Sequence, residues 1–121
     1  MSELNAIEFR EAMDFPIGTV EPGTREDRLQ ISLIEEEFVE LIEAWEEEFK
    51  EGSEPILKEL ADLVYVCFQL ASARGWDLST ALLRVHESNM SKLINGKPLK
   101  NEDGKVLKGP NYQPPTLSDL V

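Results

Sequence analysis

Residues 56–73 read ILKELADLVYVCFQLASA, a helical stretch apolar on nearly every side that nevertheless carries two acids, Glu59 and Asp62. A helix of this kind has to be buried on most of its faces. Glu59 and Asp62 stand three apart, so they share one face a turn on. A buried carboxylate without a partner is strongly destabilising, so the fold has to neutralise it, pair it or give it a cation. Cationic side chains are scarce nearby: Lys58 leads toward solvent at the helix start, and Arg74 lies at the far end. A bound metal ion is one solution; a narrow strip of solvent along the helix is the other.

A second acidic segment precedes it. LIEEEFVELIEAWEEE, from Leu33 to Glu48, holds eight glutamates in sixteen residues. At about 100° per residue, Ile34, Phe38, Leu41, Ile42, Trp45 and Phe49 form one broad stripe, the expected core face. Glu36, Glu43 and Glu47 lie opposite, in water. Glu37 and Glu40 share a row with Leu33 and Ala44, which is either a second buried surface or solvated; periodicity alone favours solvent. Eighteen residues separate Glu40 from Glu59, enough for a turn and an antiparallel return. Packed so, four or five carboxylates converge between the two helices. Oxygen-only clusters suit Mg²⁺ or Mn²⁺. Zinc normally takes Cys or His, of which the chain has one each. A di-iron bundle needs Glu-x-x-His on two helices, and His86 has no such partner. No calcium loop of the EF-hand type is present.

The remaining sequence bounds the architecture. With 121 residues the chain is expected to form one domain, all-α, with four helices over about 3–14, 26–49, 54–74 and 77–93. Thr24, Ser53 and Asp77 are the N-cap candidates, Pro55 sits in a first turn, and Gly75 is the expected left-handed stop. Residues 94–121 form an irregular or small-hairpin tail with a turn signal at Asp103-Gly104. The net charge of −12 disfavours a nucleic-acid polymer as partner. Residues 1–91 hold seven Lys/Arg against 21 Asp/Glu, whereas 92–108 hold Lys92, Lys97, Lys100, Lys105 and Lys108 against Glu102 and Asp103. A basic tail can meet phosphates, or simply dock on its own acidic body. No apolar run is long enough to span a membrane. The single Cys67 and the lack of a targeting segment suit the cytoplasm.

EEFVE (Glu36–Glu40) followed by ELAD (Glu59–Asp62) resembles the ExxE…ExxD signature of the MazG-like all-α nucleoside triphosphate pyrophosphohydrolases, relatives of the phosphoribosyl-ATP pyrophosphohydrolases and dimeric dUTPases. The segments VHESNMSKLINGKP and EDGKVLKGPNYQPP are similar to those of short single-domain members from bacteria and phages. The resemblance covers about residues 26–115. It implies a four-helix bundle completed by oligomerisation into a homodimer or homotetramer. It also implies Mg²⁺-dependent hydrolysis of a nucleoside triphosphate, with Mn²⁺ as a substitute, to the monophosphate and pyrophosphate. Glu36, Glu37, Glu40, Glu59 and Asp62 would bind the metal, with Glu37 the candidate base toward water. Asn89 and Lys92 would meet sugar or phosphate, and Lys105, Lys108 and Tyr112 would contact the outer phosphates. A purine deoxynucleotide, dGTP first, is the substrate implied, with phosphoribosyl-ATP or a pyrimidine triphosphate as alternatives.

Other residues read as structural. Cys67 belongs to the core, His86 has no catalytic partner, and Trp76 reads as a hydrophobic staple before a cap. Tyr65, three after Asp62, stands equally open to a carboxylate or a sugar. The competing reading is a non-catalytic acidic helical module, which leaves Glu59, Asp62 and the basic tail unexplained.

Overall fold

The computed structural model describes residues 3–121, and every regular element among them is helical. In chain order these are α1 (Glu3–Ala12), α2 (Arg25–Glu46), α3 (Glu48–Glu51), α4 (Glu54–Arg74), α5 (Leu78–Met90) and a closing 3₁₀ turn at Ser118–Leu120. The all-α expectation holds, with one helix more than foreseen. The second helix breaks at Glu47 (φ −96°, ψ 6°), leaving its last turn as α3. Acids Glu43 and Glu46 crowd that end with no basic residue in the last turn, against the helix dipole. α5 likewise stops at Met90, short of the expected 93.

The chain divides into two compact units, residues 1–77 and 78–121. In the first, α2 and α4 are the principal packed pair and α1 lies against α4. Thr24 caps α2, its Oγ1 accepting from the Asp27 backbone N–H at 3.4 Å. Ser53 occupies the N-cap position of α4, but its hydroxyl donates to Glu48 Oε2 instead (2.9 Å). Gly75 ends α4 at φ +75°, and the connecting segment returns across that end: Gly18 N–H donates to Ser72 O and Val20 N–H to Ala73 O. A Cβ on Gly75 would stand 3.1 Å from Gly18 Cα, so close approach and left-handed backbone together require glycine there.

Beneath this crossing the core is small and partly polar. Ala6, Phe68, Ala71 and Ala73 are its buried apolar members among the described residues. Arg10 is 2% exposed, donating from Nε to Pro16 O (2.8 Å) and from Nη1 to Gln69 Oε1 (3.2 Å). Asp27 takes a two-pronged pair from Arg74 (2.8 and 3.3 Å), and the same guanidinium lies over the Trp76 ring at 4.8 Å. One face of Trp76 is therefore taken by a cation.

The apolar stripe expected to face the core does not. Phe38, Ile42, Trp45 and Phe49 are exposed, as are Leu57, Leu60 and Val64 on α4. The row Leu33, Glu37, Glu40 and Ala44, whose acids periodicity had favoured for solvent, is the better-buried one and carries the contact with α4, and Gln30 extends it by a turn. The reason is one of cover: the unit supplies one long neighbour for α2, and that neighbour takes the row bearing the acids.

The second unit joins α5 to the tail. Ser88 Oγ donates to Gln113 O (2.7 Å), Gln113 N–H donates to Ser91 Oγ (2.9 Å), and Arg84 pairs with Asp119. These bonds group α5 with residues of the tail in one compact unit. Asn101 Oδ1 accepts from the N–H groups of Asp103 and Lys105, making the expected hairpin turn, closed by the Lys100–Val106 bridge. Gly109 N–H donates to Lys92 O, where a Cβ would meet that oxygen and Ile94 at 2.7 Å.

Candidate metal centre

Antiparallel packing of α2 on α4 sets their shared faces in register. Glu40 stands at the level of Glu59, Glu37 at that of Asp62, Leu33 at Val66, Gln30 at Gln69 and Asp27 near Arg74. Each level is about one turn from the next, so the acids and the amides occupy successive turns of the same two helices.

Carboxylate oxygens of Glu37, Glu40 and Glu59 lie within 4.8 Å of one another. All three residues are half-buried. Glu37 Oε2 and Glu59 Oε2 are cut off from solvent with no hydrogen-bond partner. Burial pushes the Glu37 carboxyl up to about 7, helped by a hydrogen bond with Glu40 and by the charges of Glu40, Asp62 and Glu59. A group in that position holds a proton in the absence of any other cation.

Lys58 corrects one expectation. The sequence directs it to solvent, yet its ammonium turns back to Asp62 Oδ2 at 2.7 Å and Glu59 Oε1 at 3.5 Å. The i, i+4 spacing from Lys58 to Asp62 brings them together, and the carboxylates hold the lysine pKa above its ordinary value, Asp62 foremost. The side chain remains 64% exposed, so this pair is an open one and leaves Glu37 uncompensated.

The other candidates are distributed as follows. Glu36 is exposed on the outer side of α2, beside Ser32, Val39 and Glu43, and is outside the three-carboxylate group. Asp62 contributes charge to Glu37 but offers its nearest oxygen to Lys58. Asn89, Lys92, Lys105, Lys108 and Tyr112 belong to the second unit. There the Lys108 ammonium lies 4.8 Å from the Tyr112 ring centre, and Gly109 ties that segment to the Lys92 carbonyl. Tyr65 packs edge-on against Phe9 with ring centres 5.6 Å apart. Cys67 is half-buried, which raises its thiol pKa, as befits a packing residue.

Sequence reasoning passed over Gln30 and Gln69. Each stands seven residues from an acid of the cluster, Glu37 and Asp62, which places it on the same helix row two turns away. A glutamine continuing each row of acids was the available signal.

The donor set fits a hard divalent ion: oxygen ligands only, three of them convergent, with two buried carboxylate oxygens lacking a partner. Compared with known families, residues 7–89 match the phosphoribosyl-ATP pyrophosphohydrolases. A comparison with curated proteins gives no match.

Proposed function

Since the chain belongs to the phosphoribosyl-ATP pyrophosphohydrolase family, in the MazG-like superfamily, and is thereby a nucleotide pyrophosphohydrolase, we propose that it cleaves a nucleoside triphosphate between the α and β phosphates using Mg²⁺. The family is metal-dependent, and the observation that supports Mg²⁺ here is the meeting of Glu37, Glu40 and Glu59 with two orphaned oxygens among them. Glu40, Glu59 and Asp62 would hold the ion, joined by Glu37; Glu36, on the outer side of α2, is assigned to it on resemblance alone. A bound divalent ion offsets phosphate charge and makes water more acidic.

The protein's own part is proton handling and positioning. A water oxygen forms the new bond to the α-phosphorus, the bridge to the β-phosphate breaks, and pyrophosphate leaves with the bridging oxygen. Glu37, which the resemblance marks as the candidate base, is the group we assign to take the water's proton, since it lies among the metal-holding carboxylates. Asn89, on α5, and Lys92, just beyond its end, are assigned to the sugar and a phosphate, and Lys105, Lys108 and Tyr112 to the outer phosphates, where cations stabilise a leaving pyrophosphate.

The uncovered apolar faces of α2 and α4 fit a homodimer or homotetramer whose core continues between copies. Among the described residues no helix is long and apolar enough to cross a membrane. A nucleotide substrate and an unpaired cysteine suit a cytoplasmic setting. A preference for dGTP rests on resemblance alone, and phosphoribosyl-ATP is compatible with the family match.

The test is a product assay with Mg²⁺ that separates pyrophosphate from orthophosphate, run on the five common deoxynucleoside triphosphates and phosphoribosyl-ATP. Pyrophosphate with the matching monophosphate supports the reading; orthophosphate release, or no turnover of any substrate, overturns it.

A further inference from the structure

We propose that a cavity between α1, α2 and α4 receives the base of the substrate and that its size admits a single six-membered ring, a pyrimidine. The proposal rests on the pyrophosphohydrolase reading and adds to it a substrate class. The cavity has a volume of about 160 Å³ and is walled by Phe9, Phe15, Tyr65, Leu33 and Val66. An apolar protein cavity of about 150 Å³ accommodates one benzene ring. A purine adds a fused five-membered ring to that, so a pyrimidine is the base whose size matches the cavity.

Two buried amides give this cavity a polar edge. Gln30 and Gln69 line it and are 4% and 3% exposed, and Gln30 Oε1 and Gln69 Nε2 have no hydrogen-bond partner. Buried polar atoms are nearly always paired, so two orphans on one cavity ask for a ligand. The orientation of Gln69 is fixed, because its Oε1 accepts from Arg10 Nη1, and Arg10 is itself held by Pro16 O. Arg10 is thus a positioning residue, and the amide nitrogen of Gln69 is left to donate. One acceptor and one donor match the edge of a pyrimidine: cytosine offers its 4-amino group and N3, uracil or thymine its N3–H and a carbonyl oxygen. The aromatic walls are set for a planar guest, with Phe9 edge-on to Tyr65 and tilted against Phe15 at a 6.2 Å centroid separation.

Placement ties the cavity to the acids. Leu33 is one turn from Glu37 along α2, and Tyr65 and Val66 are one turn from Asp62 along α4. Gln30 and Gln69 lie one further turn on, about 10 Å from the acids along the helix axes. A nucleotide laid on this row puts phosphate at the carboxylates, sugar over Leu33 and Tyr65, and the base edge at the two amides.

The experiment measures kcat/KM of the full chain with Mg²⁺ for dCTP, dUTP, dTTP, dATP, dGTP and phosphoribosyl-ATP. It is repeated in Gln30→Met and Gln69→Met, alongside melting of the metal-free protein with millimolar deoxycytidine, deoxyuridine, deoxyadenosine or deoxyguanosine. We expect at least one pyrimidine triphosphate to exceed every purine substrate by tenfold or more. Both variants should erase that ratio chiefly through KM while Mg²⁺ binding persists. Gln30→Met should fold and melt no lower than the parent, since it removes an orphaned oxygen, which keeps the test open if Gln69→Met is unstable. A purine substrate turned over as well as the best pyrimidine, or a preference that survives the substitutions, overturns the proposal while leaving pyrophosphate release intact. Should no triphosphate be hydrolysed, a melting shift specific to pyrimidine nucleosides would still support the cavity as a base site, and its absence would overturn it.

Discussion

Asp27 and Glu37 face the same neighbouring helix from successive parts of α2, yet their environments act on them in opposite directions. Asp27 meets the Arg74 guanidinium at 2.8 Å, and that hydrogen bond, with one from the Gly23 N–H, holds its carboxyl below the ordinary range. Glu37 meets Glu40, Glu59 and Asp62, and burial among them raises it to about 7. At one end of the helix pair the fold supplies the countercharge itself. At the other it gathers carboxylates and leaves the countercharge to be brought in. That contrast separates a carboxylate that holds the structure from one available for chemistry.

The largest effects should come from exchanging charge for isosteric amide at each end. Glu40→Gln and Asp62→Asn are expected to reduce kcat/KM on the order of 1,000-fold, while the metal-free protein melts no lower than the parent because repulsion around Glu37 is relieved. Asp27→Asn should do the reverse. It leaves Arg74 without its partner in a site where that side chain is 19% exposed, so melting should fall by at least ~5 °C with turnover per folded molecule little changed. Thermal melts and initial rates on the three proteins decide this; loss of activity without loss of stability at Asp27 would remove the distinction.

Next in size is the response to metal and to pH. Mg²⁺ at about 100 times its Kd should raise stability by about 2.7 kcal/mol, reversed by EDTA. The two carboxylates also give opposite pH slopes. Glu37 keeps a proton in the folded chain that the unfolded chain begins to lose near its ordinary value of 4.5. The stability this provides is present below that pH and is lost as pH rises toward about 7. Asp27, with its lowered pKa, contributes stability above its ordinary range and loses it in acid. Proton and metal compete for Glu37, so Mg²⁺ affinity should climb by about tenfold per pH unit below 7 and level off above it. Titration calorimetry across pH 5–8 measures the slope, and a flat profile would show that Glu37 is no part of the metal site.

Much of this contrast was legible in the sequence, and the illegible part has a definite cause. The i, i+3 spacing of Glu59 and Asp62 in an apolar helix located the acidic end, and Gly75 and Thr24 marked the ends of the elements that carry it. The choice of which α2 row turns inward was not available, because Phe38, Ile42, Trp45 and Phe49 form a more apolar stripe than the row that packs on α4. Periodicity ranks faces by hydrophobicity; it does not report which neighbour covers them. Arg10, buried by bonds to Pro16 and Gln69, was equally hidden, since its partners lie 6 and 59 residues away. Lys58 was misread because a side chain long enough to reach solvent is also long enough to turn back one helical turn.

That lysine supplies the smallest expected effect. Its ammonium stands 2.7 Å from Asp62, so an incoming divalent ion that takes this carboxylate has to displace it. The lysine side chain is 64% exposed, and exposed i, i+4 pairs contribute only about 0.3–0.5 kcal/mol. Lys58→Met should therefore tighten Mg²⁺ binding by about twofold, with the gain fading as salt screens the pair. Glu47→Gln, on the exposed side of α2's end, should leave the affinity within experimental scatter. If Lys58→Met instead weakened binding, the ammonium would be helping to assemble the carboxylates rather than competing for them. The site would then be one in which the fold supplies part of the countercharge, closer to the Asp27 end than the two pKa directions imply.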